Sequence, residues 1–225
     1  MNWSAPKIWP DATAYIIGGG PSVNSTNLEL IKGKHVIGVN NAYLLGDWVD
    51  VCWFGDCRWF DWHKKNLKRF AGLKVTCCER CIREPGINVL KRSTKRWGIE
   101  KNPNAVSWNL SSGGSAINLA VHFGAKRIVL IGFDMKRVRV EVAPGKFADK
   151  ANWHDDHPAP DKNPYERFLR PFKIIRKDLE ELGIECINAT PGSALTLFPV
   201  MALEETFKDG ANETLAMAGQ NRQET

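Results

Sequence analysis

The apolar runs of this chain are continuous rather than alternating, and this limits the fold more than any other feature. TAYIIG (13–18), HVIGVN (35–40), VDVCWFG (49–55), LKVTC (73–77), AVSW (105–108), RIVLIG (127–132) and IECIN (184–188) read as strands bounded by turn residues. A strand that is apolar on both faces needs cover on both, the situation inside a parallel sheet flanked by helices. Two segments between them have apolar residues at helical spacing: SAINLAVHFG (115–124) and PYERFLRPFKIIRKDLEELG (164–183), each closed by a glycine. Pro171 has no N–H to give to a helix and is expected to kink or divide the second one. The alternation predicts an α/β fold: a single Rossmann-like domain over residues 1–208, with a mostly parallel sheet and helices on both faces. Residues 136–163 are expected to form a lid insertion, with RVRVEV as a small hairpin arm. The polar segment 209–225 lacks periodicity and is expected to be a flexible tail.

The first strand runs into YIIGGGPSVN (15–24). Gly18, Gly19 and Gly20 let the chain swing tightly and let a ligand approach the backbone. Pro21 suits the first turn of a following helix, whose amides and dipole, with Ser22 beside them, favour an anion such as a phosphate. The dinucleotide fingerprint is excluded. Val23 stands where a third small residue is needed, and the second strand ends in Asn40 and Asn41 instead of an acid. No Gly-Lys-Ser/Thr follows, which excludes a Walker loop. A tight turn without a ligand remains the plain alternative.

Ligands of open parallel sheets gather at the carboxyl ends of the strands. Those ends carry Asn40, Asn41, Asp56, Ser112, Gly113, Gly114 and Asp134 in addition to the glycines. Helix capping alone accounts for the serines, and a turn acid for Asp134; their convergence on one sheet edge is what points to a nucleotide site. In the lid, NWHDDHPAPDKNP offers His154 and His157 among aspartates. A histidine, with an ordinary pKa of about 6.5, can serve as a general base near neutrality. His-x-x-His beside aspartates could equally hold a divalent ion, and exposed loop histidines are the plain reading.

Composition narrows the class. With 43% hydrophobic and 25% charged residues the chain reads as a soluble globular protein. No run of eighteen apolar residues is present, so no membrane span is expected. MNWSAPKIWP lacks the pattern of an export signal, and three of the six cysteines crowd into CCERC, which is not a secreted disulfide framework. The expected location is therefore the cytoplasm. Cys77, Cys78 and Cys81 read as buried free thiols, with zinc as the alternative. Between Arg58 and Lys101, thirteen Lys/Arg face four Asp/Glu, a net of +9 in a chain of +6 overall. This basic region, 58–101, with Trp59, Trp62 and Phe70 interleaved, fits a nucleic-acid partner or a solvated helix face over a core stripe. Nothing in the sequence opposes a homo-oligomer.

GGGPSV, VNNAY, SSGGSAINLAVHFGAKRIVLIGFDM, WHDDH and NATPGSALTLFP together resemble, in order, a Rossmann-like superfamily. It contains the single-domain bacterial sialyltransferases and the 6-hydroxymethylpterin diphosphokinase-like proteins. The resemblance implies a nucleotide-dependent transferase, with glycosyl transfer from a nucleotide-sugar donor to a hydroxyl acceptor first. It implies nucleotide contacts at Asn40, Ser112 and Gly113, a pocket role for Ser193, and a lid histidine, His154 or His157, as general base. The sialyltransferase motif reads Gly-Asn-Gly-Pro-Ser; Gly19 stands here at the asparagine. The other branch implies diphosphate transfer with Mg²⁺ on carboxylates, for which Asp56, Asp134 and Asp156 are candidates, while the sialyl precedent uses no catalytic metal. A nucleotide or nucleic-acid binding module without catalysis is the third reading.

Overall fold

The computed structural model describes residues 3–95, 97–156 and 163–207. Its centre is a seven-stranded sheet of β1 (Thr13–Ile17), β2 (His35–Val39), β3 (Val51–Phe54), β4 (Leu73–Thr76), β5 (Ile87–Val89), β8 (Arg127–Ile131) and β11 (Glu185–Asn188). The order is β11-β8-β1-β2-β3-β4-β5, and every pairing is parallel. Ile16 sits in register with Ile37 on one side and Leu130 on the other. The chain builds outward from β1 in one direction to β5, then returns to β1's other edge with β8. That reversal opens a crevice at the carboxyl ends of β1 and β8, where open sheets bind ligands.

Both faces of the sheet are covered, as the continuous apolar runs require. One face presents Ile16, Ile37, Trp53 and Leu130 to α2 (Ser112–His122) and α4 (Phe172–Glu181). The other presents Tyr15, Ile17, Phe54 and Ile131 to α1 (Cys57–Leu67). Ser111 caps α2, its Oγ accepting from the Gly114 amide at 3.0 Å, and Asp56 caps α1, accepting from the Arg58 amide at 2.8 Å. Pro171 divides the long helical segment: α3 (Tyr165–Leu169) stops before it and α4 begins after it. Gly183 ends that segment with φ +61°. The hairpin arm forms as antiparallel β9 (Val138–Ala143) and β10 (Lys146–Lys150).

Three expectations are corrected. AVSW does not join the central sheet; only β7 (Ala105–Val106) is extended, and it pairs with β6 (Lys91–Arg92) in a separate ladder. The seventh strand is Ile87–Val89, too short between Pro85-Gly86 and the basic Lys91-Arg92 to show a period. The cysteine cluster is not all free thiol: Cys57 and Cys78 form a disulfide, while Cys52, Cys77, Cys81 and Cys186 are free and buried. With Cys78 so bonded, Cys77, Cys78 and Cys81 cannot all be thiolate ligands of zinc, and burial pushes the Cys81 thiol up to about 12. The buried stripe of α1 is Trp59, Phe60, His63 and Leu67; Trp62 is exposed, and Lys64 and Lys65 face solvent.

Candidate functional site

A pocket of about 440 Å³ opens at the crevice between β1 and β8, a volume suited to a small organic ligand. Gly18, Gly19 and Gly20 form its floor with Gly132 and Asp134 from the end of β8. Asn40 and Asp56 enter from the ends of β2 and β3, Ser112 and Gly113 from the start of α2, and His154 from the lid. The structure therefore brings together most of the strand-end residues that the sequence singles out.

The glycine turn works differently from the expectation. None of its three glycines has a positive φ; Gly20 sits at φ −70° in extended backbone. What requires glycine is close approach inside the protein. A Cβ on Gly20 would overlap the Asp134 carboxylate and lie 2.6 Å from the Gly132 carbonyl, and one on Gly18 would lie 2.8 Å from that same carbonyl. Three amides at the turn are occupied: Gly18 donates to Ile131 O at 2.7 Å, Gly20 to Gly132 O at 2.9 Å and Ser22 to Asp134 Oδ1 at 3.3 Å. The Asp134 carboxylate thus lies against this turn. Pro21 does open a helical turn, but it is a short 3₁₀ one over Pro21–Ser25.

Further amide donors lie at α2. Gly114 and Ser115 amides are used by Ser111, at 3.0 and 3.1 Å. The first amides of the helix, at Ser112 and Gly113, have no intrahelical acceptor, and both residues line the pocket. Arg58, Lys136 and Arg167 stand at the rim and give it positive charge, while Trp108, Tyr165 and Phe168 supply aromatic wall. Trp108 is held by Arg92, whose guanidinium lies 4.3 Å from the indole centre and donates to Gly55 O at 2.6 Å. Burial raises the Tyr165 phenol above its ordinary value, as it does the Asp134 carboxyl despite the bonds from Ser22.

Asn40 has left-handed backbone at φ +52°, and its Oδ1 is buried without a hydrogen-bond partner among the described residues. An unpaired buried amide oxygen is costly, and the residue lines the pocket.

Five of the sequence candidates lie behind the wall. Asn41 is buried, accepting from Trp59 Nε1 at 2.7 Å and donating to Asp156 Oδ2 at 3.0 Å. Ser22 bonds Asp134, Pro21 is buried beneath the turn, and Gly114 is packed on Asn109. Ser193 is buried, donating to Phe133 O at 2.5 Å and so bracing the end of β8. The carboxylates expected to carry Mg²⁺ are separately engaged: Asp56 caps α1, Asp134 serves Ser22 and Asp156 serves Asn41. Among the described residues no three His, Cys, Asp or Glu side chains stand close enough to share an ion. His157 and Asp161 lie outside the described residues.

The segment expected to be a lid packs against the glycine turn through Trp153. Trp153 N donates to Gly19 O at 3.0 Å, and Asn24 Nδ2 donates to Trp153 O at 3.0 Å. A Cβ on Gly19 would meet Asn152 Oδ1 at 3.3 Å, so the space for a side chain at 19 is bordered by an amide from the lid. Asn152, Trp108 and Tyr165 are pocket residues that sequence reasoning missed. Arg58 and Trp59 were visible only as part of a basic, aromatic stretch.

Neither a family model nor a curated protein sequence matches the chain. Solved structures do. The MAf glycosyltransferase from Magnetospirillum magneticum AMB-1 superposes with a TM-score of 0.59 at 12% identity over 89% of this chain, which spans 35% of that protein's length. The sialyltransferase CstII from Campylobacter jejuni, in complex with the substrate analogue cytidine-5'-monophosphate, gives a TM-score of 0.52 at 14% identity, over 86% of each chain. The fold of this chain is similar to the folds of these two solved proteins. Among the described residues no helix is long and apolar enough to cross a membrane.

Proposed function

We propose that this chain is a glycosyltransferase that binds a nucleotide-sugar donor in the crevice between β1 and β8. The observation that carries the reading is the convergence of Asn40, Ser112, Gly113 and His154 on one pocket at the carboxyl ends of the strands. The Asn40 side chain is assigned to the nucleoside. The donor's phosphates are assigned to the first amides of α2 at Ser112 and Gly113, helped by Arg58, Lys136 and Arg167 at the rim. Trp108, Tyr165 and Phe168 offer faces for a base or sugar ring. His154 is the residue assigned to the transfer step. The two solved neighbours, both glycosyltransferases by name, support the class.

Thermal shift with nucleoside mono- and diphosphates tests it. A bound nucleotide at a hundredfold excess over its Kd adds about 2.7 kcal/mol, a rise of roughly 5–10 °C for a chain of this size. Asn40→Gly, which keeps the left-handed backbone at no steric cost, should leave the ligand-free melting temperature unchanged or higher and abolish most of that shift. A wild type that no nucleoside phosphate stabilises would overturn the reading.

A further inference from the structure

The backbone on both sides of Asn152 is tied down. The Tyr165 hydroxyl donates to Ala151 O at 3.3 Å. On the other side the Trp153 amide donates to Gly19 O, and Asn24 Nδ2 donates to Trp153 O, each at 3.0 Å. The Asn152 carboxamide itself makes no hydrogen bond among the described residues, although it lines the pocket and is half-buried. A carboxamide has two N–H donors and an oxygen with two lone pairs. Fixed by its neighbours and unused by the fold, it is a polar group held ready for a ligand. Gly19 accounts for the room it has. Conformation does not demand a glycine there, since its φ is not positive. Among the described residues, and beyond its chain neighbours, only Asn152 Oδ1 comes within 4 Å of a Cβ at 19, at 3.3 Å. The side chain missing at 19 is therefore the space that this carboxamide borders.

The sheet register says which end of a ligand this turn meets. Ile17 of β1 pairs with Gly38 of β2 in parallel, so Gly19 and Asn40 leave the sheet on adjacent strands, each two residues past that pair. Both line the pocket. We propose that Asn152 is a further ligand-binding residue, whose carboxamide hydrogen-bonds the nucleoside part of a bound nucleotide in the space that glycine leaves at 19. This rests on the nucleotide reading of the pocket. A neutral amide offers donor and acceptor side by side, the pattern that nucleobase edges and ribose hydroxyls match. The charged rim residues Arg58, Lys136 and Arg167 are the groups suited to phosphate. Positions 19 and 152 then form one amide site, which a side chain from either can fill.

Calorimetric titration with AMP, CMP, GMP and UMP tests this, the tightest binder of the four being carried through the variants. Asn152→Ala should weaken it about tenfold, the loss of one or two hydrogen bonds. The ligand-free variant should melt with the wild type, because no bond inside the protein is lost. Gly19→Asn/Asn152→Ala, which supplies the amide from the turn instead, should regain most of the lost affinity. Asn152→Asp keeps the shape and adds a negative charge. Beside a neutral nucleoside it should bind within a few-fold of the alanine variant. An aspartate variant more than about tenfold weaker than the alanine one would place residue 152 at the phosphates and overturn the nucleoside assignment. A double variant no better than Asn152→Ala overturns the shared site. If Asn152→Ala binds as the wild type does, the proposal falls while the nucleotide reading stands. If the wild type binds none of the four, that reading falls and the proposal with it.

Discussion

Asp134 accepts two hydrogen bonds from Ser22, one from the hydroxyl at 2.8 Å and one from the backbone amide at 3.3 Å. Even so, burial dominates and raises its pKa above the ordinary value of 3.8. The folded chain thus binds this proton more tightly than the unfolded one. The ionised group subtracts from stability above its folded pKa, and the deficit disappears as pH falls through that value to about 3.8. Asp134→Asn, which can keep both contacts with Ser22, should melt a few degrees above wild type at neutral pH. The difference should close as the pH approaches 4. A gap that is constant across this range would show that desolvation of Asp134 has no part in it.

The close approach at the glycine turn distinguishes neighbouring positions. Gly20→Ala puts a methyl group into the Asp134 carboxylate and against the Gly132 carbonyl, both fixed by the end of β8. Overpacking of this kind costs about 1–3 kcal/mol, and each kcal/mol is roughly 2–4 °C at this chain length. Gly19→Ala meets only the tip of Asn152 at 3.3 Å, which can shift. Paired thermal melts should show a clear loss for the first variant and little for the second. Gly20→Val, which a ligand-cradle view would expect to fold and merely lose its nucleotide, should instead be compromised in folding.

The disulfide bears on the site through α1. Cys57 is the first residue of the helix that carries Arg58 and Trp59 to the pocket, and its bond to Cys78 closes a separation of 21 residues. A loop of that length is worth roughly 3 kcal/mol of unfolded-state entropy. A dithiol reductant should lower the melting temperature of the wild type by several degrees and leave Cys57→Ser, already lowered, unaffected. Thiol counting on the denatured, unreduced chain should find four free groups of the six cysteines. Six would remove the bond.

How far the site was legible depended on backbone versus side-chain information. Continuous apolar runs such as RIVLI and VCWF leave no choice but a sheet covered on both faces, and in a parallel sheet all carboxyl ends point one way. That alone brings Gly19, Asn40 and Asp134 together, while Ser112 arrives with the start of α2 after a segment outside the central sheet. Residue types alone did not separate the two adjacent asparagines; only the resemblance singled out Asn40, the one that lines the pocket. Asn40 takes a left-handed conformation, and its neighbour's amide goes inward to Trp59, a decision made by packing. Ser193 lies close to the right strand end in sequence, yet its hydroxyl is drawn to the Phe133 carbonyl. Trp108 carried no periodic signal because its chain leaves the sheet after Val106, and the indole is delivered over Gly55 by Arg92.

Asn24 and Trp153 make the lid's attachment testable apart from the chemistry. Asn24 is exposed, and its side chain makes one bond, 3.0 Å to the Trp153 carbonyl; the Trp153 amide in turn donates to Gly19 O at 3.0 Å. Neither residue belongs to the sheet, so losing the contact should open the lid without loosening the core. A single hydrogen bond contributes about 0.5–1.5 kcal/mol net, with the lower end suited to an exposed pair. Asn24→Ala should therefore raise the open population of the lid by roughly two- to tenfold. Native-state hydrogen exchange at the Trp153 amide reads this, because that N–H is released only when the lid leaves Gly19. Exchange there should speed up by the same factor, while Ile16, Leu130 and the other central strand amides keep their protection. Substrate KM should rise a few-fold with the melting temperature almost unchanged. If the Trp153 amide exchanges no faster in the variant, the lid is held by other contacts and Asn24 is not its latch.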